Sequence, residues 1–133
     1  MSGESRRSRL RRWAFNFFPA YRGTGARFAY LADDWREVCI RLPLSWRTRN
    51  YVGSIFGGSM YAAVDPIYMV MLINVLGPDY VVWDKAATIH FRKPGRTTLT
   101  ATFRVDLVDA EGVVHAEVEK VIYVRRKKPE DAA

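Results

Sequence analysis

The segment NYVGSIFGGSMYAAVD, residues 50–65, carries the most informative pattern in this 133-residue chain. It opens with Asn50, contains three glycines, and ends in Asp65 after an apolar run. Free N–H groups at the start of a helix, together with the positive end of the helix dipole, favour negative charge, and glycine lets a substrate approach the backbone closely. The pair Gly57–Gly58 is therefore a candidate oxyanion hole for attack on an ester or thioester carbonyl.

A single long helix is predicted from Gly57 to Leu76. Apolar side chains recur through it at three- and four-residue spacing, and Gly77–Pro78 ends it. Because nearly every position is apolar, we expect protein to surround this helix on most sides. Pro66 has no N–H group, so we expect it to disturb the helix near its middle by leaving the carbonyl of Ala62 without a donor.

Segments on both sides of this helix have the two-residue period of strands. Before the helix, residues 27–32 and 36–42 alternate and predict a hairpin. After the helix, three strands are predicted, the last two joined by a turn at residues 109–112; they are 80–91, 98–108 and 113–124. The predicted fold class is α+β, with a mainly antiparallel sheet of about five strands wrapped round one long central helix.

The positive charge lies mostly at the two ends of the chain. Residues 1–12 hold five arginines and one glutamate, and residues 125–133 hold four bases and two acids, whereas the rest is nearly balanced within a total of +7. Solvated basic ends are one interpretation, and contact with a membrane or nucleic acid is the other. A short helix predicted over residues 6–18 suits either packing on its own domain or an anionic membrane surface, since its apolar side carries Leu10, Trp13, Ala14 and Phe17.

Composition favours a cytoplasmic protein of one domain. Cys39 is the single cysteine, which excludes an internal disulfide and fits a reducing compartment. The N-terminus lacks the apolar stretch and cleavage site of a secretory signal, and no uninterrupted apolar run reaches the length of a membrane span. Two well-separated histidines and one cysteine suggest no metal site.

Asp65 and Gly57 are too far apart to act together within one chain. Asp65, a carboxylate among apolar neighbours, can act as a base towards water or as a nucleophile. Alternatively, it merely caps a helix that begins at Pro66. Eight residues of helix span about 12 Å, so one reacting carbonyl cannot lie beside both groups. If both take part, the site needs two chains related by a two-fold axis.

The segment resembles the pattern N-x-x-G-x-x-H-G-G-x6-D of hotdog-fold acyl-CoA thioesterases related to phenylacetyl-CoA thioesterase. The matching positions keep every spacing; they are Asn50, Gly53, Gly57, Gly58 and Asp65. The predicted element order is also similar from about residue 26 onward. On this resemblance the chain divides into a basic N-terminal segment with a short helix (1–25), a hotdog domain (26–125) and a charged tail (126–133).

The resemblance implies roles for the catalytic residues. Asp65 would activate water or attack the thioester, the backbone of Gly57 would polarise the carbonyl, and Asn50 would help to position the nucleophile or the carbonyl. It further implies a homodimer, possibly a dimer of dimers, whose substrate is a thioester of coenzyme A or acyl carrier protein. No cofactor is implied, because coenzyme A enters as part of the substrate.

Two departures from the pattern keep a second interpretation open. Phe56 stands where the related enzymes have histidine, which removes a side-chain donor, and Pro66 directly follows the aspartate. The chain therefore looks most like a little-characterised branch of the superfamily. The alternative is a catalytically silent hotdog protein that binds an acyl thioester or acts as an interaction module.

Further residues are candidates for substrate binding. Three cations surround Pro94–Gly95, namely Arg92, Lys93 and Arg96, and Arg47 and Arg49 precede Asn50. Such clusters bind phosphates by charge-assisted hydrogen bonds, although ordinary surface loops carry similar ones. Gly58 and Phe56 adjoin the proposed oxyanion hole. On the strand that borders the site in relatives, Asp84 and Thr88 are weaker candidates.

Overall fold

The computed structural model describes residues 3–105 and the backbone of the strand at 116–126. Its elements are α1 (Arg6–Phe17), α2 (Pro19–Arg22), β1 (Arg27–Leu31), β2 (Glu37–Leu42), α3 (Gly57–Val64), α4 (Ile67–Leu76), β3 (Tyr80–Phe91), β4 (Leu99–Arg104) and β5 (Ala116–Arg126). This order confirms the predicted α+β class with an N-terminal helix. The predicted turn at 109–112 and the tail beyond residue 126 lie outside the described residues.

All strand pairs within the described residues are antiparallel. The predicted hairpin of β1 and β2 is confirmed, with Leu31 opposite Val38 across the turn. β4 lies on the other side of β2, so that one group has the order β1-β2-β4. β3 pairs with β5 along its whole length, from Tyr80 opposite Arg126 to Phe91 opposite Ala116. The alternating side chains of the first group supply one wall of the core.

The central helix is interrupted where Pro66 was predicted to disturb it. α3 ends at Val64, the N–H of Asp65 still donates to the carbonyl of Tyr61 at 2.9 Å, and α4 begins only at Ile67. Because proline has no N–H group, it cannot supply the next hydrogen bond of the helical ladder. The chain nevertheless continues in roughly the same helical conformation, with φ near −51° at Asp65 and −83° at Pro66.

The central helix buries one side and leaves the others partly open in the single chain. The buried residues recur at three- and four-residue spacing and pack with Val38 and Ile40 of the sheet; they are Met60, Ala63, Ile67 and Met71. Most of its other positions are half-buried, and four are exposed: Gly58, Tyr68, Ile73 and Asn74. The described residues of one chain thus cover the helix only in part. The 20-residue stretch Gly57–Leu76 has the length and hydropathy of a membrane span, a test that the core helices of globular proteins also pass.

α1 docks on the domain through polar groups and through the ring of Phe15, which lies 5.0 Å from the ring of Phe28 and 5.7 Å from that of Trp35. The Asn16 side chain exchanges two hydrogen bonds with the backbone of Phe28, donating at 3.1 Å and accepting at 2.7 Å. The hydroxyls of Ser5 and Ser8 both donate to Asp33, and these bonds hold the pKa of that carboxyl below its ordinary value. The prediction that Leu10, Trp13 and Phe17 pack on the protein's own domain is wrong: these side chains are exposed, because the polar contacts and the Phe15 ring hold the opposite side of the helix inward.

Tyr21 of α2 ties the N-terminal region to the central helix. Its ring is buried, and its hydroxyl donates to the carbonyl of Ala63 at 2.8 Å, two residues before Asp65. Burial raises the pKa of Tyr21 well above its ordinary value, because the phenolate would lose its hydration. The hydroxyl thus satisfies a carbonyl near the interruption of the central helix.

We expect Tyr21→Phe to lower the free energy of unfolding by about 1–2 kcal/mol, because the buried carbonyl of Ala63 loses its partner. Urea titration measures this loss. Tyr30→Phe is the matched control, since the Tyr30 hydroxyl has no hydrogen bond among the described residues. The wild type should also lose stability as the pH rises above about 10, where the tyrosine of the unfolded chain ionises first, and Tyr21→Phe should remove that part. Equal stability of the two variants would contradict the prediction.

Candidate active site

Asn50 shapes the loop that leads into α3. Its amide nitrogen donates to the hydroxyl of Ser54 at 2.8 Å, and its amide oxygen accepts the N–H groups of Val52 at 3.1 Å and Ser54 at 2.9 Å. Gly53 completes the tight turn with φ near +84°, a conformation that favours glycine. The predicted catalytic asparagine therefore directs its side chain to its own loop, and its described contacts are those of a positioning residue.

The first two N–H groups of α3 have no acceptor in the part of the chain that the structure describes. Phe56 occupies the N-cap position and offers no side-chain cap, while its carbonyl accepts from Ser59 at 3.0 Å and Met60 at 3.1 Å. Within the described residues, the N–H groups of Gly57 and Gly58 have no hydrogen-bond partner. Such donors at the positive end of a helix are suited to an oxyanion. The geometry is therefore compatible with the predicted oxyanion hole.

Two aromatic rings lie against the glycine pair. A Cβ atom on Gly57 would lie 2.9 Å from the ring of Phe91, and one on Gly58 would lie 2.4 Å from the ring of Phe56. Both distances are too short for real contacts, so a larger residue at either position would displace a ring. The rings thus form apolar walls beside the two N–H groups, and the wall over Gly58 is the residue that replaces the expected histidine.

Asp65 lies at the opposite end of α3. It is the C-cap residue of that helix and is half-buried. The residue at the N-cap position of α4 is Pro66, which makes no side-chain cap, so Asp65 does not begin a new helix as the alternative required. Eight residues of helix keep Asp65 about 12 Å from Gly57 in the same chain. One chain does not bring these two predicted catalytic residues together.

The predicted phosphate-binding residues lie beside the start of α3. The N–H of Ile55 donates to the carbonyl of Gly95 at 2.8 Å, which fastens the loop before α3 to the turn after β3. The joined segments, 43–60 and 89–98, contain no aspartate or glutamate. They carry five exposed cations, which we call the basic rim: Arg47, Arg49, Arg92, Lys93 and Arg96. A substrate carbonyl at Gly57 would thus lie next to a positively charged surface.

The two weaker candidates lie farther along β3. Extended backbone places Thr88 about 10 Å and Asp84 about 23 Å from Phe91, whose ring contacts Gly57. Both side chains are exposed, and a bulge follows Asp84 in the ladder with β5. Asp84 is therefore outside hydrogen-bonding reach of the glycine pair in the same chain.

Two residues that contact the site were not predicted from the sequence. Phe91 reaches Gly57 from the far end of β3, and buried Thr48 accepts the N–H of Phe56 on its carbonyl at 2.7 Å. A glycine at a helix start allows another group to approach the backbone closely, but the sequence does not show which side chain does so. Only the contact between the end of β3 and the start of α3 in the structure identifies the ring.

Comparisons with known proteins identify the family and the fold of this chain. A family described as a domain of unknown function, DUF4442, matches residues 6–131. Among proteins with curated functions, none matches significantly. Similar solved structures have the hotdog fold, as the sequence predicts.

Three of these structures illustrate the likeness. A protein of unknown function from Pseudomonas aeruginosa, described as a probable thioesterase, superposes with a TM-score of 0.73 at 18% identity, covering 90% of this chain and 95% of that one. A thioesterase from Haemophilus influenzae gives 0.67 at 15%, with 85% and 87% covered. The phenylacetic acid degradation protein PaaI from Thermus thermophilus gives 0.58 at 18%, with 78% and 96% covered. At these identities the likeness concerns the fold.

Proposed function

Because this chain belongs to the family of the domain of unknown function DUF4442 and has the hotdog fold, we propose that it hydrolyses acyl thioesters at sites formed between two copies of the chain. The observation that carries the proposal is that the N–H groups of Gly57 and Gly58 have no acceptor among the described residues and are bordered by the basic rim. The thioesterase descriptions of the similar structures support the same reaction class.

In the proposed reaction, the thioester carbonyl oxygen accepts hydrogen bonds from the first turn of α3. The carboxylate of Asp65 from the second subunit takes a proton from water, whose oxygen bonds to the carbonyl carbon. The resulting oxyanion is stabilised by the N–H of Gly57 until the carbon–sulfur bond breaks. The sulfur leaves with the proton that Asp65 took from water, so Asp65 is a carboxylate again and the products are a carboxylic acid and a free thiol. Direct attack by Asp65 would give the same products through an anhydride that water then hydrolyses.

We propose that β3 forms the dimer interface. It is 12 residues long, and within the described part of the chain only β5 pairs with it. Its large apolar side chains Tyr80, Trp83 and Phe91 are exposed. A long edge strand with exposed apolar side chains favours pairing with another chain. A two-fold axis at this edge would also let the second copy cover the exposed part of the central helix. In one chain, 28% of the most apolar window of that helix is buried.

The first experiment is a hydrolysis assay over short-chain, long-chain and aromatic acyl-CoA substrates, measured by release of free thiol. A blank with enzyme and no substrate corrects for Cys39, which is half-buried and can react with the thiol reagent. Release of thiol from at least one acyl class supports the proposal and identifies the class. No release from any thioester of coenzyme A or acyl carrier protein would contradict it.

A second candidate function rests on Phe56. Its ring lies over Gly58 where an imidazole donor would stand in the resembling enzymes. An apolar wall at this position suits a protein that binds an acyl thioester without cleaving it. Calorimetric binding of an acyl-CoA by the wild type, with no thiol released, would support this silent binder over the hydrolase.

A double substitution tests whether the basic rim binds the phosphates of coenzyme A. We expect Lys93→Gln with Arg96→Gln to raise KM for an acyl-CoA by about tenfold, because two exposed cations that bind phosphate are lost. The same acyl group on N-acetylcysteamine, which has no phosphate, should keep its KM. Arg27→Gln, a cation on β1 outside the basic rim, is the control. A similar change with both substrates, or with neither, would contradict the assignment of the rim to the carrier.

A further inference from the structure

The outer side of α1 is apolar and faces away from the rest of the chain. Side chains on the inner side hold the helix in place, since Ser8 binds Asp33, and Asn16 binds Phe28. The outer side, with the first residue after the helix, forms a continuous apolar face. It consists of Leu10, Trp13, Phe17 and Phe18, which are 69%, 62%, 50% and 58% exposed. This outward apolar face has the reverse of the arrangement expected for a helix that packs through its apolar side.

Arginines border this face, and the two acids near them, Glu4 and Asp33, contact Arg12 and the serines of the inner side. Residues 5–32 contain seven arginines and no aspartate or glutamate. Arg12 pairs with Glu4 at 2.8 Å, but Arg6 and Arg9 are exposed and have no ion pair among the described residues. They line a shallow groove together with Leu10, Arg12 and Trp13. The guanidinium of Arg22 lies 5.3 Å from the ring centre of Phe17 at the other end of the face.

We propose that the outward apolar face docks this protein on the surface of an anionic lipid bilayer, with α1 lying along the surface. Tryptophan, phenylalanine and leucine on one side of a helix, bordered by cations, match the chemistry of the interface between acyl chains and anionic headgroups. A second copy of the chain is the less suitable occupant, because pairing two such faces would bring their arginines together. Nucleic acid would use the cations and the aromatic rings but gains little from Leu10.

This inference is independent of the proposed hydrolysis, since it uses no residue of the site. Docking through α1 would also affect the orientation of the domain. α2 follows α1 directly, and the hydroxyl of Tyr21 in α2 donates a hydrogen bond to the carbonyl of Ala63 in the central helix. Docking through α1 would therefore hold the domain in a defined orientation to the surface rather than on a loose tether.

Flotation with lipid vesicles tests the proposal on the full chain. We expect the wild type to float with vesicles containing one third phosphatidylserine, and to float poorly with pure phosphatidylcholine or in ~1 M salt, where screening is nearly complete. The double substitution Leu10→Ser and Trp13→Ser should lower the partition coefficient by about tenfold or more. Trp46→Ser, which removes a tryptophan that is 84% exposed on another loop, should leave it unchanged.

The cationic margin is tested with a second matched pair. Arg6→Gln with Arg9→Gln should lower the partition coefficient by about fivefold for each charge removed. Lys93→Gln with Arg96→Gln removes the same charge from the basic rim and should have no comparable effect. We expect each variant to fold, because none of these side chains belongs to the inner side of α1, and circular dichroism checks this.

Three results would overturn the inference. The first is failure of the wild type to float with anionic vesicles. The second is loss of an oligomer on substituting Leu10 and Trp13, measured by light scattering, which would assign the face to a second copy of the chain. The third is binding of a single-stranded RNA that displaces the vesicles and depends on Arg6 and Arg9 but not on Leu10.

Discussion

Asp65→Asn is expected to lower kcat for thioester hydrolysis by about 10²–10⁴-fold while the fold and the oligomeric state persist. The amide that replaces the carboxylate cannot take a proton from water at neutral pH, and it cannot attack the thioester carbon. Asp65 is half-buried at the end of α3, and its N–H bond to the carbonyl of Tyr61 is a backbone contact that asparagine keeps. The measurement is thiol release from whichever acyl class the wild type cleaves best.

Asp79→Asn is the matched control for this result. Asp79 is an exposed carboxylate in the turn after α4, so its substitution removes the same charge without touching α3. We expect it to retain wild-type kcat. Near-normal hydrolysis by Asp65→Asn would contradict the assignment of Asp65. A loss of activity that accompanies a changed urea midpoint or elution volume would indicate a structural role instead.

Local sequence patterns predicted most of the fold because they act over a few residues. The two-residue period identified β1 and β2 and their hairpin, and the missing N–H of Pro66 located the interruption in the central helix. Both features depend on neighbours along the chain rather than on contacts formed later. The pattern gives an antiparallel sheet that covers one long apolar helix, and the resemblance of residues 50–65 to the thioesterase pattern identified this arrangement as the hotdog fold.

The orientation of α1 could not be predicted in this way. Helical periodicity shows which side of a helix is apolar, but not which side faces the domain. The outcome depends on partners at distant positions, because Asn16 binds the backbone of Phe28, and Ser8 binds Asp33. Polar docking of this kind leaves no periodic signal in the sequence.

The candidate site was predictable in its positions but not in its contacts. The spacing placed Asn50 in the loop before the glycine pair, yet only the structure shows that its amide closes that loop. Phe91 contacts Gly57 although 33 residues lie between them in the sequence. The rise of an α-helix, by contrast, is fixed, so the separation of Gly57 from Asp65 follows from their spacing along the chain.

Gly57→Pro is expected to lower kcat by about 10²–10³-fold, because it removes one N–H donor from the oxyanion hole. Proline is tolerated in the first position of a helix, and Phe56 already has the extended conformation, with φ near −61° and ψ near 131°, that a residue before proline prefers. Gly57→Ala is the matched control, since it keeps the N–H group but introduces the same close approach to the ring of Phe91. Equal losses in the two variants would assign the effect to the ring rather than to the donor.

Mixing the Gly57→Pro and Asp65→Asn proteins tests whether the two residues act from different subunits. Random reassociation of a homodimer makes half of the dimers mixed. In a mixed dimer with composite sites, one site carries both defects and the other carries neither, so about a quarter of wild-type activity should return. If each site lay within one chain, every site in the mixture would carry a defect, and no activity would return. Recovery thus requires that Gly57 of one subunit and Asp65 of the other serve the same thioester, as the separation of about 12 Å within one chain demands.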